Sequence, residues 1–297
     1  MKHAVLGVGA IGGLMATALS SIGEDVESVV RAEKLATYPE RITLQQPVGF
    51  ITASARAVSR LTEPVDVLWI STKAYQLRSA LESIEASPKI VVPLLNGVDH
   101  IALLRSHFGD DRVAPATIAV EADRTADGHF VQRSIVRLSV AASGQALLAP
   151  VLGRLQQRLS YICHFDENEQ TLMWTKLCFL ASFALTSSAS GKNKGDILAD
   201  PGWKDALYSS IGEASAVAKA CGAEINASAI QTILDTSPAT MRSSMLKDLI
   251  AGRELELDAI GGPIVRGGER YGIATPTTRK LMDEISKLEP RNLKLKT

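Results

Sequence analysis

Cysteine is scarce in this chain: Cys163, Cys178 and Cys221 are the only three among 297 residues. They are scattered and odd in number, with no metal or redox spacing, and read as reduced core thiols of a cytoplasmic protein. Net charge is absent as well. The 32 Lys and Arg balance 32 Asp and Glu, so there is no electrostatic footprint for nucleic acid. Met1-Lys2-His3 runs straight into a strand-like segment without the apolar stretch of a signal peptide. The most apolar run, Leu172 to Leu185, is interrupted by Lys176 and falls short of the roughly 20 residues of a membrane span. No internal repeat or low-complexity tract is present.

What is there is a soluble globular mix, 46% hydrophobic and 22% charged, in a length that suits two domains. From residue 1 to about 145, short β-rich runs alternate with helical patterns. The runs are Ala4–Gly7, Val26–Val30, Val65–Ile70 and Lys89–Leu95, and helical segments such as Ile11–Ile22 and Tyr75–Ile84 lie between them. Near-continuous apolar strands are buried on both faces, which predicts a parallel, doubly wound sheet. Arg112–Val120, His129–Arg133 and Ile135–Ala141, with a turn at Asp127-Gly128, predict that this sheet finishes in antiparallel pairs.

After about residue 165 the pattern is helical. Asp166 and Glu169 suit a capping box opening a helix that runs through Leu185. Ser187–Lys194 reads as a loop, and helices follow over Trp203–Cys221, Met241–Ala251, Leu255–Tyr271 and Pro276–Leu288, the last started by Thr275-Pro276. Glu289–Thr297 reads as a polar, frayed tail. The expected fold is therefore α/β: an N-terminal Rossmann-type dinucleotide-binding domain over residues 1–165 and an all-α domain over 166–297, with a cleft between them.

Gly7-Val8-Gly9-Ala10-Ile11-Gly12 follows the first strand and opens the first helix. GxGxxG alone is a weak signal, and a ligand-free glycine turn is the bland alternative. In this context Gly7 serves the tight turn, Gly9 the approach of a pyrophosphate and Gly12 the close helix–strand packing. The helix start at Ala10 and Ile11 offers free N–H groups to the anion. A carboxylate about 20 residues on would grip the ribose of NAD. Here the second strand ends in Arg31 instead, whose planar fork suits a 2′-phosphate and so favours NADP. The competing readings are a solvated Arg31 and a Glu33 that reaches a ribose.

Ligands of open α/β sheets lie beyond the carboxyl ends of strands, where Lys73 and Asn96 stand. Asn-Gly by itself is most often only a turn. Lys176 sits among apolar or small neighbours, and such burial lowers a lysine pKa toward that of a proton donor near neutral pH. Its bland alternative is a lysine that snorkels to solvent or pairs structurally. Glu256 opens a helix, where a charge usually belongs to a solvated first turn.

Together these pieces resemble the ketopantoate reductase (2-dehydropantoate 2-reductase) family over nearly the whole chain. The resemblance rests on the glycine run Gly7–Gly13, Arg31-Ala32-Glu33, Lys73, Asn96-Gly97, Trp174-Thr175-Lys176-Leu177, Ser243–Asp248 and Glu256-Leu257-Asp258. It implies an NADPH-dependent reductase of pantothenate biosynthesis that turns a 2-oxo acid such as 2-dehydropantoate into the 2-hydroxy acid. Lys176 would then protonate the carbonyl oxygen, and Glu256 would bind substrate and orient the lysine. Ser244 would hold the substrate carboxylate, Asn96 would touch substrate and cofactor, Lys73 would border the nicotinamide, and Arg31 would take the 2′-phosphate.

The chain departs from the family at Leu180 and Ala184, where asparagine is usual, and at Gly261-Gly262. Leu180 makes the substrate wall apolar, which disfavours a substrate hydroxyl. The partner is then a small-molecule carbonyl or imine, and the alternatives are a reductase of a different ketone or imine or a non-catalytic NADP-binding sensor. Apolar faces of such helical domains often pair, which allows a homodimer.

Overall fold

The computed structural model describes residues 1–288; the tail expected over Glu289–Thr297 lies outside them. In chain order the first half runs β1 (Lys2–Leu6), α1 (Ala10–Ser21), β2 (Asp25–Val29), α2 (Ala32–Leu35), β3 (Arg41–Gln46), β4 (Gly49–Ser54), β5 (Arg56–Val58) and β6 (Val67–Ile70). It continues with α3 (Leu77–Leu81), β7 (Ile90–Pro93), α4 (His100–Phe108), β8 (Ala116–Ala119), β9 (Ala122–Ala126), β10 (His129–Gln132), β11 (Val136–Ala141), α5 (Gln145–Arg158) and β12 (Tyr161–Asp166). The rest is helical: α6 (Glu169–Ser190), α7 (Lys194–Ala199), α8 (Pro201–Ala220), α9 (Ala227–Thr236), α10 (Ser244–Ile250), α11 (Leu257–Tyr271) and α12 (Pro276–Leu288).

The chain forms two compact units, Met1–Leu95 with His100–Glu169, and Asn96–Asp99 with the chain from Gln170 onward. The first contains a five-stranded parallel sheet in the order β5-β2-β1-β6-β7. Its apolar strands are covered twice because successive side chains point to opposite faces. Val5, Trp69 and Val92 join the core packed with Leu14, Met15 and Leu19 of α1. Ala4, Leu6, Leu68, Ile70 and Val91 join the core of Leu77, Leu81 and Leu104 from α3 and α4. Each such large side chain contributes roughly 1.5–3 kcal/mol by leaving water.

The expectation of one sheet ending in antiparallel pairs is corrected. Those strands build two further sheets, β4-β3-β10-β9 and β12-β11-β8. β7 ends at Pro93, which has no N–H for another ladder. The hairpin of β3 and β4 carries no strand signal in the sequence, because β3 buries only Ile42, Leu44 and Gln46 between more open positions and so shows no apolar run. Asp127-Gly128 does form the turn between β9 and β10.

Two boundaries also move. Asp166 closes β12 and accepts a bond from the Asn168 N–H at 3.0 Å, and α6 begins only at Glu169, whose carboxylate binds Arg105 at 2.7 Å. The capping box is therefore not made. Ser187–Ser190 belong to α6 rather than to a loop. Ser190 Oγ bonds back to the Thr186 carbonyl at 2.7 Å within the last turn, and Gly191 at φ 70° stops the helix. The 22-residue α6 is thus long and apolar enough to cross a membrane by length and composition, correcting the shorter run read from sequence. Most of its apolar window, 72%, is buried inside the protein, as for the central helix of a helical unit. No strand occurs in the second unit among the described residues. Its core gathers Leu177, Ala181 and Leu185 of α6 with Leu207, Ile211 and Val217 of α8 and Ile260 and Ile264 of α11.

A polar network is buried around His3 in the first unit. Trp69 Nε1 donates to His3 Nδ1 at 3.1 Å, and His3 Nε2 lies 3.2 Å from Glu24 Oε2. Indole N–H can only donate, so Nδ1 accepts and the neutral ring carries its hydrogen on Nε2. Glu24 also takes the terminal amine at 2.7 Å and pairs with Arg154.

Candidate active site

The turn from β1 into α1 places Gly7, Gly9, Ala10, Ile11 and Gly12 together. Gly7 has φ 90°, and a Cβ there would stand 2.7 Å from the Thr72 methyl group. At Gly12 a Cβ would lie 2.0 Å from the Gly7 carbonyl oxygen and 2.4 Å from Ser71 Oγ, so only glycine lets the helix sit this close. Ser71 Oγ itself donates to the Gly7 carbonyl at 2.7 Å. Around Gly9 a Cβ would meet nothing within 4 Å, so this backbone faces open space. Gly9 caps α1 without a side-chain bond, and the first turn holds no acid. The N–H groups of Ala10, Ile11 and Gly12 are the unsatisfied donors of a helix start. The residues present fit a dinucleotide pyrophosphate.

Arg31 follows β2 and precedes α2. It is 75% exposed, with Nε 3.3 Å from Glu33 Oε1, so both cofactor-selecting candidates from the sequence occupy one surface pair. Lys73 is half-buried and starts the short turn Ala74–Gln76 after β6. The sequence gives Ser71 and Thr72 no role, although they brace the glycine loop. Their position beside Lys73 at the end of an apolar strand marks the place, but the contact with Gly7 is made only in the fold.

The second unit brings three predicted residues together. Asn96-Gly97 follows β7 and presses on the start of α11, where a Cβ on Gly97 would stand 2.3 Å from the Ala259 carbonyl oxygen. That approach lets Asn96 Nδ2 donate to Glu256 Oε2 at 3.2 Å. Glu256 is only 7% exposed, so the reading of a solvated first turn is corrected. Lys176, midway along α6, retains some accessible surface. Even so, loss of water around its ammonium pulls its pKa from 10.5 to about 8, and the Glu256 charge resists part of that fall. No hydrogen bond holds this ammonium among the described residues.

Leu180 stands one turn beyond Lys176, partly accessible and packed on the helical core. Ala184, the next turn on, is 0% exposed and belongs to the core. Ser244 begins α10 with an exposed side chain, and among the described residues no hydrogen bond joins it to Lys176 or Glu256. Its neighbour Ser243 is the buried cap, accepting from the Leu246 N–H at 3.1 Å. Among the described residues no cluster suits a metal ion.

Two family models match successive stretches of the chain. Residues 3–145 match "Ketopantoate reductase PanE/ApbA", and residues 168–289 match "Ketopantoate reductase PanE/ApbA C terminal". The chain belongs to the ketopantoate reductase family. Family members are oxidoreductases. A 2-dehydropantoate 2-reductase of Caulobacter vibrioides is 31% identical, covering 92% of this chain and 94% of that protein. Among solved structures, a PanE/ApbA family ketopantoate reductase from Ralstonia eutropha is 25% identical. It covers 99% of this chain and all of its own, with a TM-score of 0.87. D-mandelate dehydrogenase with NADH and anilino(oxo)acetate shares the fold at 22% identity and a TM-score of 0.87, covering 97% of this chain and 98% of its own.

Proposed function

We propose that this chain reduces the ketone of a 2-oxo acid to the 2-hydroxy acid with NADPH. The observation that carries the reading is Lys176: an unbonded ammonium with a pKa near 8, electrostatically coupled to a buried carboxylate that Asn96 holds. The glycine loop and α1 would hold the pyrophosphate, and Arg31, released from Glu33, would take the 2′-phosphate. Lys73 would border the nicotinamide. When bound, the reduced nicotinamide supplies a hydride to the carbonyl carbon.

The residues of the chain do the rest. The Lys176 ammonium donates a hydrogen bond to the carbonyl oxygen, stabilises the charge that develops there and gives up its proton. Glu256 keeps a negative charge opposite the lysine, and Asn96 fixes that carboxylate. Ser244 donates its hydroxyl to the substrate carboxylate. Leu180 gives the side chain of the substrate an apolar neighbour, which favours a 2-oxo acid whose remaining carbons carry no hydroxyl.

A sensor needs only the glycine loop and Arg31, so the grouping of Lys176 and Asn96 with the buried Glu256 supports an enzyme. Glu33 beside Arg31 supports a second reading for the cofactor alone, in which a carboxylate takes the ribose hydroxyls and NADH serves. Steady-state oxidation of NADPH and of NADH with a panel of 2-oxo acids tests both. The proposal expects turnover with a higher kcat/KM for NADPH, and absence of turnover with every 2-oxo acid rejects it.

A further inference from the structure

The glycine loop has a neighbour from the second sheet. Arg124 on β9 donates from Nη1 to the Val8 carbonyl oxygen at 3.2 Å, across 116 positions of sequence. Its other terminal nitrogen pairs with Asp127, which also stands 3.8 Å from Lys34. The sheet reaches this place because it packs on α1. A Cβ on Gly13 would meet the Phe130 ring of β10 at 2.0 Å. The Arg124 side chain remains 40% exposed.

A guanidinium is electrostatically out of place here. Val8 directly precedes Gly9, the cap of a twelve-residue helix with no acid in its first turn. Such an end carries roughly half a positive charge, and a second cation beside it is repelled. Asp127 compensates only in part, since Lys34 shares it. An anion lying against the loop would satisfy both positive groups. The guanidinium has five donors in a plane, and the bonds to Val8 and Asp127 leave donors for further oxygens.

We propose that Arg124 is a binding residue for the pyrophosphate of the pyridine dinucleotide, closing on the glycine loop from the second sheet. The inference rests on the reading that this loop holds such a dinucleotide. It gives Arg124 a role separate from that of Arg31: the pyrophosphate is common to NADPH and NADH, whereas the 2′-phosphate belongs to NADPH alone.

Calorimetric titration of NADPH and NADH into the full-length protein tests it, using wild type, Arg124→Ala, Arg124→Lys and Asp127→Asn. Arg124→Ala should weaken both cofactors by the same factor, about tenfold for a charge-assisted bond at a partly exposed site. Arg124→Lys should recover part of the loss, and Asp127→Asn should weaken neither. The thermal midpoint of Arg124→Ala should match wild type, since the side chain is exposed. Unchanged affinity for both cofactors overturns the proposal, as does a loss confined to NADPH. An equal loss in Asp127→Asn also overturns it, because the pair would then act only by shaping the hairpin turn. A wild type that binds neither cofactor removes the underlying reading, a result separable from failure of Arg124 alone.

Discussion

Asn96 donates its amide to Glu256 at 3.2 Å, joining residues 160 positions apart at the start of α11. The carboxylate so fixed raises the pKa of Lys176 against the effect of burial. Glu256→Gln should therefore move the falling limb of the pH–rate profile to lower pH, because the lysine loses the charge that helps it keep its proton. The amide can still accept from Asn96, so activity near pH 7 should fall less than in a Lys176 variant. A limb that stays in place would separate Glu256 from the lysine.

The Arg31 guanidinium pairs with Glu33, and both side chains are largely exposed. Breaking such a pair costs little, about 0–1 kcal/mol, so Arg31 is free to turn to a phosphate. Arg31→Ala should weaken NADPH at least about tenfold and NADH little, as read by direct binding. Equal weakening of both cofactors would take the 2′-phosphate away from Arg31.

The parallel sheet was legible because its strands are apolar on both faces, and the glycine turn because Gly7 and Gly12 answer steric demands of a strand–helix contact. The β3–β4 hairpin was not, since its half-exposed strands carry polar residues in place of a run. Lys176 could be singled out by its apolar neighbours. Glu256 was named through the family resemblance, but its burial was not legible, because burial at a helix start depends on the Asn96-Gly97 turn, which arrives from far away in sequence. Arg124 was invisible for the same reason: its contact with Val8 is made by a second sheet.

Leu180 stands one turn from Lys176 and remains partly accessible. A hydroxyl placed against it would lose water without gaining a partner. The enzyme should prefer 3,3-dimethyl-2-oxobutanoate to ketopantoate, which differs by one added hydroxyl, by roughly ten- to a hundredfold in kcat/KM. Leu180→Asn should narrow or reverse that ratio, while Leu180→Met should keep it. A wild type that prefers ketopantoate would contradict the apolar wall.

Acid should destabilise the first unit through His3. Burial lowers its pKa from 6.5 to about 4, with the terminal amine adding to the effect. The unfolded chain therefore takes up the proton first. Stability is fully present above pH 6.5 and is lost as pH falls toward about 4, by roughly 3 kcal/mol for this group. Urea unfolding of wild type and His3→Gln between pH 7 and 4 should show a steeper loss in wild type. Parallel curves would mean that the histidine is not buried neutral.

The proposed role of Lys176 as proton donor is tested most directly by kcat. With the 2-oxo acid that wild type reduces best, Lys176→Met should lower kcat by about 10²–10⁴-fold and leave NADPH affinity nearly unchanged. The wild-type rate should fall as pH rises through about 8, where the ammonium deprotonates. A folded Lys176→Met protein that turns over this substrate at the wild-type rate would contradict the mechanism and leave the lysine a structural residue.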